Sequence, residues 1–239
     1  MSPKPATQSA SAKKPATGDT GSNIKGHSRN EIAARLAKDI PDGWYVNLGI
    51  GMPLQVADYI PGDREVIIQS ENGLLGMGPL QKEHELNTWI VNAGKQNVTL
   101  KPGASIVSHA DSFAMIRGGH LDLCVLGSFE VAENGDFANW TTSLTKAVPA
   151  VGGAMDLAAG AQRIWLTMDH CSKDGKSKIV KRCALPLTAV GVVKRVYTDL
   201  AVIDVTPRGF ELVDMVEGLS FESLQARTDA KLHQAGKAS

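Results

Sequence analysis

The sequence has no surplus of either charge: Lys+Arg and Asp+Glu both total 25, and the formal net charge is zero. A broad electrostatic nucleic-acid footprint needs a basic excess, so nucleic acid is not an expected partner. Cysteine is scarce. Its three positions, Cys124, Cys171 and Cys183, are widely separated, odd in number and contain no C-x-x-C pair. That pattern speaks against a disulfide framework or a structural zinc, and it fits a reducing cytoplasm. No stretch approaches the roughly 20 consecutive apolar residues that span a bilayer, so a soluble chain without a membrane partner is expected. Gly49-x-Gly51 lacks the third glycine of the dinucleotide fingerprint, which leaves nicotinamide binding unsupported. Internal repeats and a second domain boundary are also missing, and 239 residues suit one α/β domain with a substantial core.

Residues 1–27 are made mostly of Ser, Thr, Ala, Pro, Gly and Lys, with Ile24 the only large aliphatic residue after Met1. Such a segment cannot bury enough surface to offset its ordering entropy and is expected to be a disordered tail. It has no Arg, carries an Asp and shows no amphipathic period, unlike a mitochondrial transit peptide. The folded domain is expected over 28–230, with a short tail over 231–239.

Within the domain, Ser28-Arg29-Asn30-Glu31 reads as a capping box, and Ile32, Leu36 and Ile40 follow at a helical spacing of four. Trp44–Val46 reads as a strand leading into a loop at Asn47. Pro53 suits the first residue of a second helix carrying Leu54, Ala57 and Ile60. Further strands are expected at Val66–Gln69, Ala104–Ser108, Leu123–Leu126, Ile164–Met168 and Leu200–Val205. The last of these is apolar nearly throughout, as a strand buried on both faces would be. Helices are expected at Ser112–Arg117, Met155–Ala159 and Phe221–Arg227. Strands alternating with helices predict an α/β fold: a mostly parallel sheet covered by helices on both faces.

The most informative run is Ser70-Glu71-Asn72-Gly73, followed by Leu74 to Pro79, which reads as a glycine-rich loop. It sets one carboxylate at the carboxyl end of a buried strand, where open α/β sheets hold their ligands. Glycines behind it let a substrate approach the backbone. A carboxylate placed there can act as a covalent nucleophile if water is kept out. The same four residues also fit a strand ending in an Asn-Gly turn with Glu71 solvated.

Several separated blocks decide between these readings. They are Asn47-Leu48-Gly49-Ile50-Gly51-Met52-Pro53, the Glu71 run, Asn92-Ala93-Gly94-Lys95 and Ser112 to Asp122. Val125-Leu126-Gly127, Ala138-Asn139-Trp140, Val151 to Leu157 and Thr198 to Val205 follow in order. Together they resemble the β subunit of family I CoA-transferases, from about Arg29 to about Thr228. Within that family, Pro149 to Gly153 and Met168-Asp169-His170 look most like the members that act on 3-oxoadipate, with the acetoacetate-directed members next.

The resemblance implies a NagB/RpiA/CoA-transferase-like fold and a ping-pong transfer of CoA between two carboxylic acids, from succinyl-CoA to a 3-oxoacid. Glu71 matches the family's nucleophile, coenzyme A is a substrate, and no cofactor or metal is implied. It further implies an α-type partner subunit, as an α2β2 assembly. Gly152 matches the residue that supplies an oxyanion-hole amide, and Gly153 shares the turn; without the family, Gly152-Gly153 also reads as an ordinary strand-to-helix turn. Asn47 matches a polar active-site contact and otherwise reads as a turn residue. Lys95 follows a tight turn and could meet a CoA phosphate as a point charge, or stand on the surface. Asp169-His170-Cys171 has triad-like letters, but neighbours on a strand point to opposite faces and cannot form a relay. His109, Asp111, Arg117 and His120 either read a distal carboxylate or cap a helix. The rival from another class is a ligand-sensing module of the same fold, which would have no use for the Glu71 run.

Overall fold

The computed structural model describes residues 24–82, 87–143 and 150–234. Residues 1–23 and 235–239, assigned above to the tails, lie outside the described residues, as does Pro149. In chain order the elements begin with helix α1 (Arg29–Asp39), β1 (Tyr45–Leu48), a 3-10 helix (Met52–Tyr59), β2 (Ile67–Ser70), β3 (Leu74–Leu80) and β4 (Val98–Ile106). Next come α2 (His109–Arg117), β5 (Leu123–Gly127), β6 (Glu130–Ala132), β7 (Phe137–Ala138), α3 (Ala154–Gly160) and β8 (Ile164–Met168). The last elements are β9 (Ile179–Val180), β10 (Val193–Thr198), β11 (Ala201–Thr206), β12 (Gly209–Met215), α4 (Phe221–Ala226) and β13 (Leu232–Gln234).

A ten-stranded sheet in the order β13-β12-β11-β10-β8-β5-β1-β2-β3-β4 carries the fold, with a small sheet of β7, β6 and β9 beside it. The central run from β10 through β8, β5 and β1 to β2 is parallel, and antiparallel pairs flank it at β10-β11-β12 and β2-β3-β4. Alternation along β5 shows how the sheet is buried. Leu123 and Val125 join one core with Ile32 and Leu36 of α1, while Cys124 and Leu126 join the other with Ile116 of α2 and Leu157 of α3. Successive strand side chains point to opposite faces, so a strand apolar at every position needs helices on both sides. The expected layering is therefore present.

Helix α1 starts as read from the sequence: Ser28 Oγ accepts the Glu31 N–H at 3.3 Å and Glu31 Oε2 accepts the Ser28 N–H at 2.7 Å. Elsewhere the structure corrects the reading in physical terms. The segment from Pro53 forms a 3-10 helix, in which residues three apart eclipse. Leu54, Ala57 and Ile60 have that spacing and pack together on the α1-side core. The glycine-rich run after Glu71 is strand β3, paired antiparallel to β2 and β4. Gly76 and Gly78 leave no room there for a side chain, against Ala104 and Thr99 of β4. Strand β11 is buried on both faces only in its first half, at Ala201 to Ile203, and it is antiparallel to both neighbours. The sheet also extends past residue 230, because β13 pairs in parallel with β12 and buries Leu232. At the other end, Ile24 packs on the α2-side core and the His27 N–H donates to Asp199 O at 2.7 Å, so residues 24–27 are ordered against the domain.

His170, fully buried after β8, ties three parts of the fold together. Its Nδ1 is 3.1 Å from Thr198 Oγ1 and its Nε2 2.9 Å from Thr228 Oγ1, while its N–H donates to Asp199 Oδ1 at 2.6 Å. Burial, with the Arg227 charge adding to it, lowers its pKa from 6.5 to about 4. The folded state thus favours the neutral ring. This contribution is fully present above 6.5 and is lost as pH falls toward about 4. Denaturant unfolding across that window should show stability falling by up to about 1.4 kcal/mol per pH unit. The slope should flatten in His170→Gln, which cannot titrate. An unchanged slope in that variant would assign the acid sensitivity to other groups.

Candidate active site

The carboxyl ends of β2, β1, β5 and β8 open onto a cleft of about 640 Å³, whose wall includes Asn47, Glu71, Gly127, Gly152, Gly153 and Asp169. Glu71 sits in the turn from β2 to β3, and each of its companions in the turn is pinned. Ser70 Oγ accepts the Ala93 N–H at 3.0 Å, and Asn72 Nδ2 donates to Val91 O at 2.8 Å. The Gly73 N–H donates to Ser70 O at 2.9 Å. Gly73 has φ +116°, and a β-carbon there would collide with the Val107 carbonyl oxygen. Three of the four residues hold the turn. The fourth, Glu71, is half-buried and accepts no hydrogen bond among the described residues.

Burial raises the Glu71 pKa above the ordinary glutamate value; the charge of His109 opposes the shift and that of Asp156 adds to it. A carboxylate with raised basicity is a stronger nucleophile. Against it lies Gly153, the residue before α3. A β-carbon there would overlap Glu71 Oε2 and come within 3.2 Å of the Phe113 ring. Helix α2 supplies that Phe113 from below, and Arg117 Nε to Asp156 Oδ1 at 2.7 Å ties α2 to α3. Gly160 lets α3 approach closely, since a side chain there would strike the backbone of Ile116. Gly152 differs from its neighbour: its φ is +65°, with nothing among the described residues within 4 Å of where a β-carbon would stand.

Asn47 lies inside β1 rather than in the loop beyond it, and it is buried. Its Nδ2 donates to Gln69 Oε1 at 2.5 Å, and Gln69 Nε2 donates to Ser112 Oγ at 2.6 Å. This chain of amides braces β1, β2 and α2 beneath Glu71, and Asn47 makes no hydrogen bond to Glu71 itself. Cys124 lies under the same place, where burial and then the Glu71 charge push its thiol pKa up. It is an inert packing residue.

Lys95 is not among the cleft residues. It is exposed in the turn after Ala93, with φ +62°, and its N–H donates to Asn92 O at 2.9 Å. Helix α2 is capped by Ser108 Oγ, which accepts the Asp111 N–H at 3.1 Å, and the His109 ring packs on Phe113 with centroids 4.6 Å apart and planes tilted by 45°. Arg29 and Lys178 line the cleft and were not singled out in the sequence. Arg29 was read only as part of a capping box, and Lys178 sits in a lysine-rich stretch that looks like solvated surface. No three His, Cys, Asp or Glu side chains gather as a metal site would need, and no helix is long and apolar enough to cross a membrane, both among the described residues.

Residues 29–224 match the family described as Coenzyme A transferase. The chain is 52% identical over 208 residues to the B subunit of the 3-oxoadipate CoA-transferase of Acinetobacter baylyi, covering 87% of this chain and 96% of that protein. It is 48% identical over 203 residues to the B subunit of the succinyl-CoA:3-ketoacid coenzyme A transferase of Helicobacter pylori, covering 85% and 97%. Among solved structures, an acyl-CoA transferase from Escherichia coli O157:H7 superimposes with a TM-score of 0.68 at 18% identity. That likeness covers 92% of this chain and 44% of the other, and it concerns the fold alone. A match across most of the sequence, carried by relatives about half identical over nearly their full length, makes this chain a member of the coenzyme A transferase family.

Proposed function

We propose that the chain is the β component of a transferase that moves CoA from succinyl-CoA to a 3-oxoacid, 3-oxoadipate in the first place, through a glutamyl-CoA thioester on Glu71. The observation that carries this is the half-buried Glu71 carboxylate, free of hydrogen-bond donors among the described residues and pressed against Gly153 in the cleft wall. A carboxylate kept only for structure would be expected to accept hydrogen bonds. The names of the two relatives carry 3-oxoadipate in one case and succinyl-CoA with a 3-ketoacid in the other; the second reading takes acetoacetate as the acceptor.

The reaction runs in four displacements. Glu71 Oε attacks the donor's thioester carbonyl, the C–S bond breaks, and CoA thiolate leaves behind an acyl-glutamyl anhydride. The thiolate attacks Glu71 Cδ, the C–O bond to the donor breaks, and succinate departs. The acceptor carboxylate then attacks the glutamyl thioester and expels the thiolate, and the thiolate finally takes the acceptor acyl group and returns Glu71 as carboxylate. One thioester replaces another, so no outside energy source is needed. Each tetrahedral oxyanion needs donors, and the backbone amides at Gly152 and Gly153, in the cleft wall and without side chains to obstruct them, take that role in this reading. Water must be kept from the anhydride and thioester, which an open cleft on one chain does poorly. Both relatives are named as B subunits, and the Escherichia coli structural relative is about twice as long as this chain. An α-type subunit closing the cleft, in an α2β2 assembly in the cytoplasm, completes the reading.

The chain purified alone should therefore transfer no CoA, and co-expression with an α-type subunit should restore transfer. In that complex Glu71→Gln should reduce the rate by more than about a thousandfold without lowering the melting temperature. Near-normal turnover by this variant, checked by mass for deamidation, would sink the assignment.

The two glycines should separate. Gly153→Ala drives a methyl into the Glu71 carboxylate and should reduce kcat by about a hundredfold, because a displaced reacting group is costly. Gly152→Ala meets no neighbour among the described residues but strains a left-handed backbone, at about 1–2 kcal/mol of stability, with a smaller effect on rate. Equal loss of rate in both would show that the Gly153 contact does not set the position of Glu71.

A further inference from the structure

The end of the cleft far from Glu71 holds groups that the transfer steps leave unused. Lys178 lines it, is half-buried, and makes no ion pair or side-chain hydrogen bond among the described residues. Asp169 shares that end without pairing to it. Thr167, on β8 and 1% exposed, has a hydroxyl with no hydrogen-bond partner among the described residues. A buried hydroxyl left unpaired in a cleft wall is unusual and points to a ligand.

We propose that Lys178 and Thr167 form the subsite for a second, distal carboxylate on the acceptor, and so select diacids over monoacids; this rests on the transferase reading above. The spacing supports it. Glu71 follows β2 and Asp169 follows β8, three strands away in the sheet, so the strand ends are about 14 Å apart. The Lys178 N–H donates to His170 O at 3.0 Å, which fixes its backbone beside the end of β8. The glutamate side chain and the four-carbon lysine stem shorten the gap from both sides, leaving a span suited to a short acyl chain. Between them the floor is Leu126 and Gly127 of β5, apolar like the methylenes of such a chain. Arg29 is the less suited cation, because it stands where the cleft meets a second cavity beyond the 3-10 helix. A 3-oxoacid whose far end carries a carboxylate would gain a charge-assisted contact that acetoacetate cannot make.

The test compares kcat/KM for 3-oxoadipate and acetoacetate in the complex with the α-type subunit. Lys178→Met should lower the ratio of the two by about ten- to a hundredfold while acetoacetate is handled as before. Lys178→Arg should restore most of the preference, and Thr167→Val should lower it by a smaller factor. A ratio unchanged in Lys178→Met, or an equal fall with both acids, overturns the subsite. So does a wild-type complex that uses acetoacetate and not 3-oxoadipate, which leaves the transferase reading standing. A complex that transfers CoA to no acid at all overturns both.

Discussion

The contact between the Glu71 carboxylate and the bare α-carbon of Gly153 is the constraint on which the site depends. Two helices and two strands must be placed correctly for it to exist. The β2–β3 turn has to deliver the carboxylate, and α3 has to begin at a residue without a β-carbon. Phe113 of α2 has to fill the space beneath, with Arg117 and Asp156 holding α2 and α3 together. Each of these is an ordinary packing solution. Their sum is a carboxylate half-withdrawn from water and turned toward a cleft.

The polar core under the site follows from the same placement. Asn47, Gln69 and Ser112 satisfy one another across β1, β2 and α2, so the buried amides act as a brace and none is left exposed to compete for the substrate. Glu71 stands at the edge of this brace without a donor of its own. Asn47, Gln69 and Ser112 are paired and the proposed reactive group is not, which is the contrast expected when burial is used to tune a nucleophile. His170 makes the same point from β8. It looks chemical in the sequence, yet it is fully buried with both ring nitrogens occupied, and its work is to join the end of β8 to the end of β10 and the segment after α4.

Much of this was legible in the sequence because the signals were local. The capping box at Ser28, the alternation of buried strands and the chain end of each central strand are set by neighbours in sequence. What was missed needed long-range information. The run after Glu71 is rich in glycine because β4 crowds it, and crowding by a distant strand looks, in one dimension, like a flexible loop. Asn47 resembled a turn residue because its partner, Gln69, lies 22 positions away. Gly152 and Gly153 were indistinguishable as letters; only the fold shows that a side chain at Gly153 would meet Glu71, while one at Gly152 would meet no described residue. Lys178 carried no signal at all, being one lysine among several until β8 and its neighbours bring it to the cleft. Lys95 is the reverse case, prominent in sequence and outside the cleft in the fold.

The mechanism requires that Glu71 become covalently bonded to CoA. The direct measurement exposes the complex of this chain and its α-type partner to succinyl-CoA and treats it with borohydride. The peptide containing residue 71 is then sequenced by mass spectrometry. A glutamyl thioester is reduced to an alcohol, so the account requires a residue 71 that has lost one oxygen and gained two hydrogens, formed only when acyl-CoA is present. An unmodified Glu71 in a complex that is actively transferring CoA, or the same modification on a different carboxylate, would contradict it.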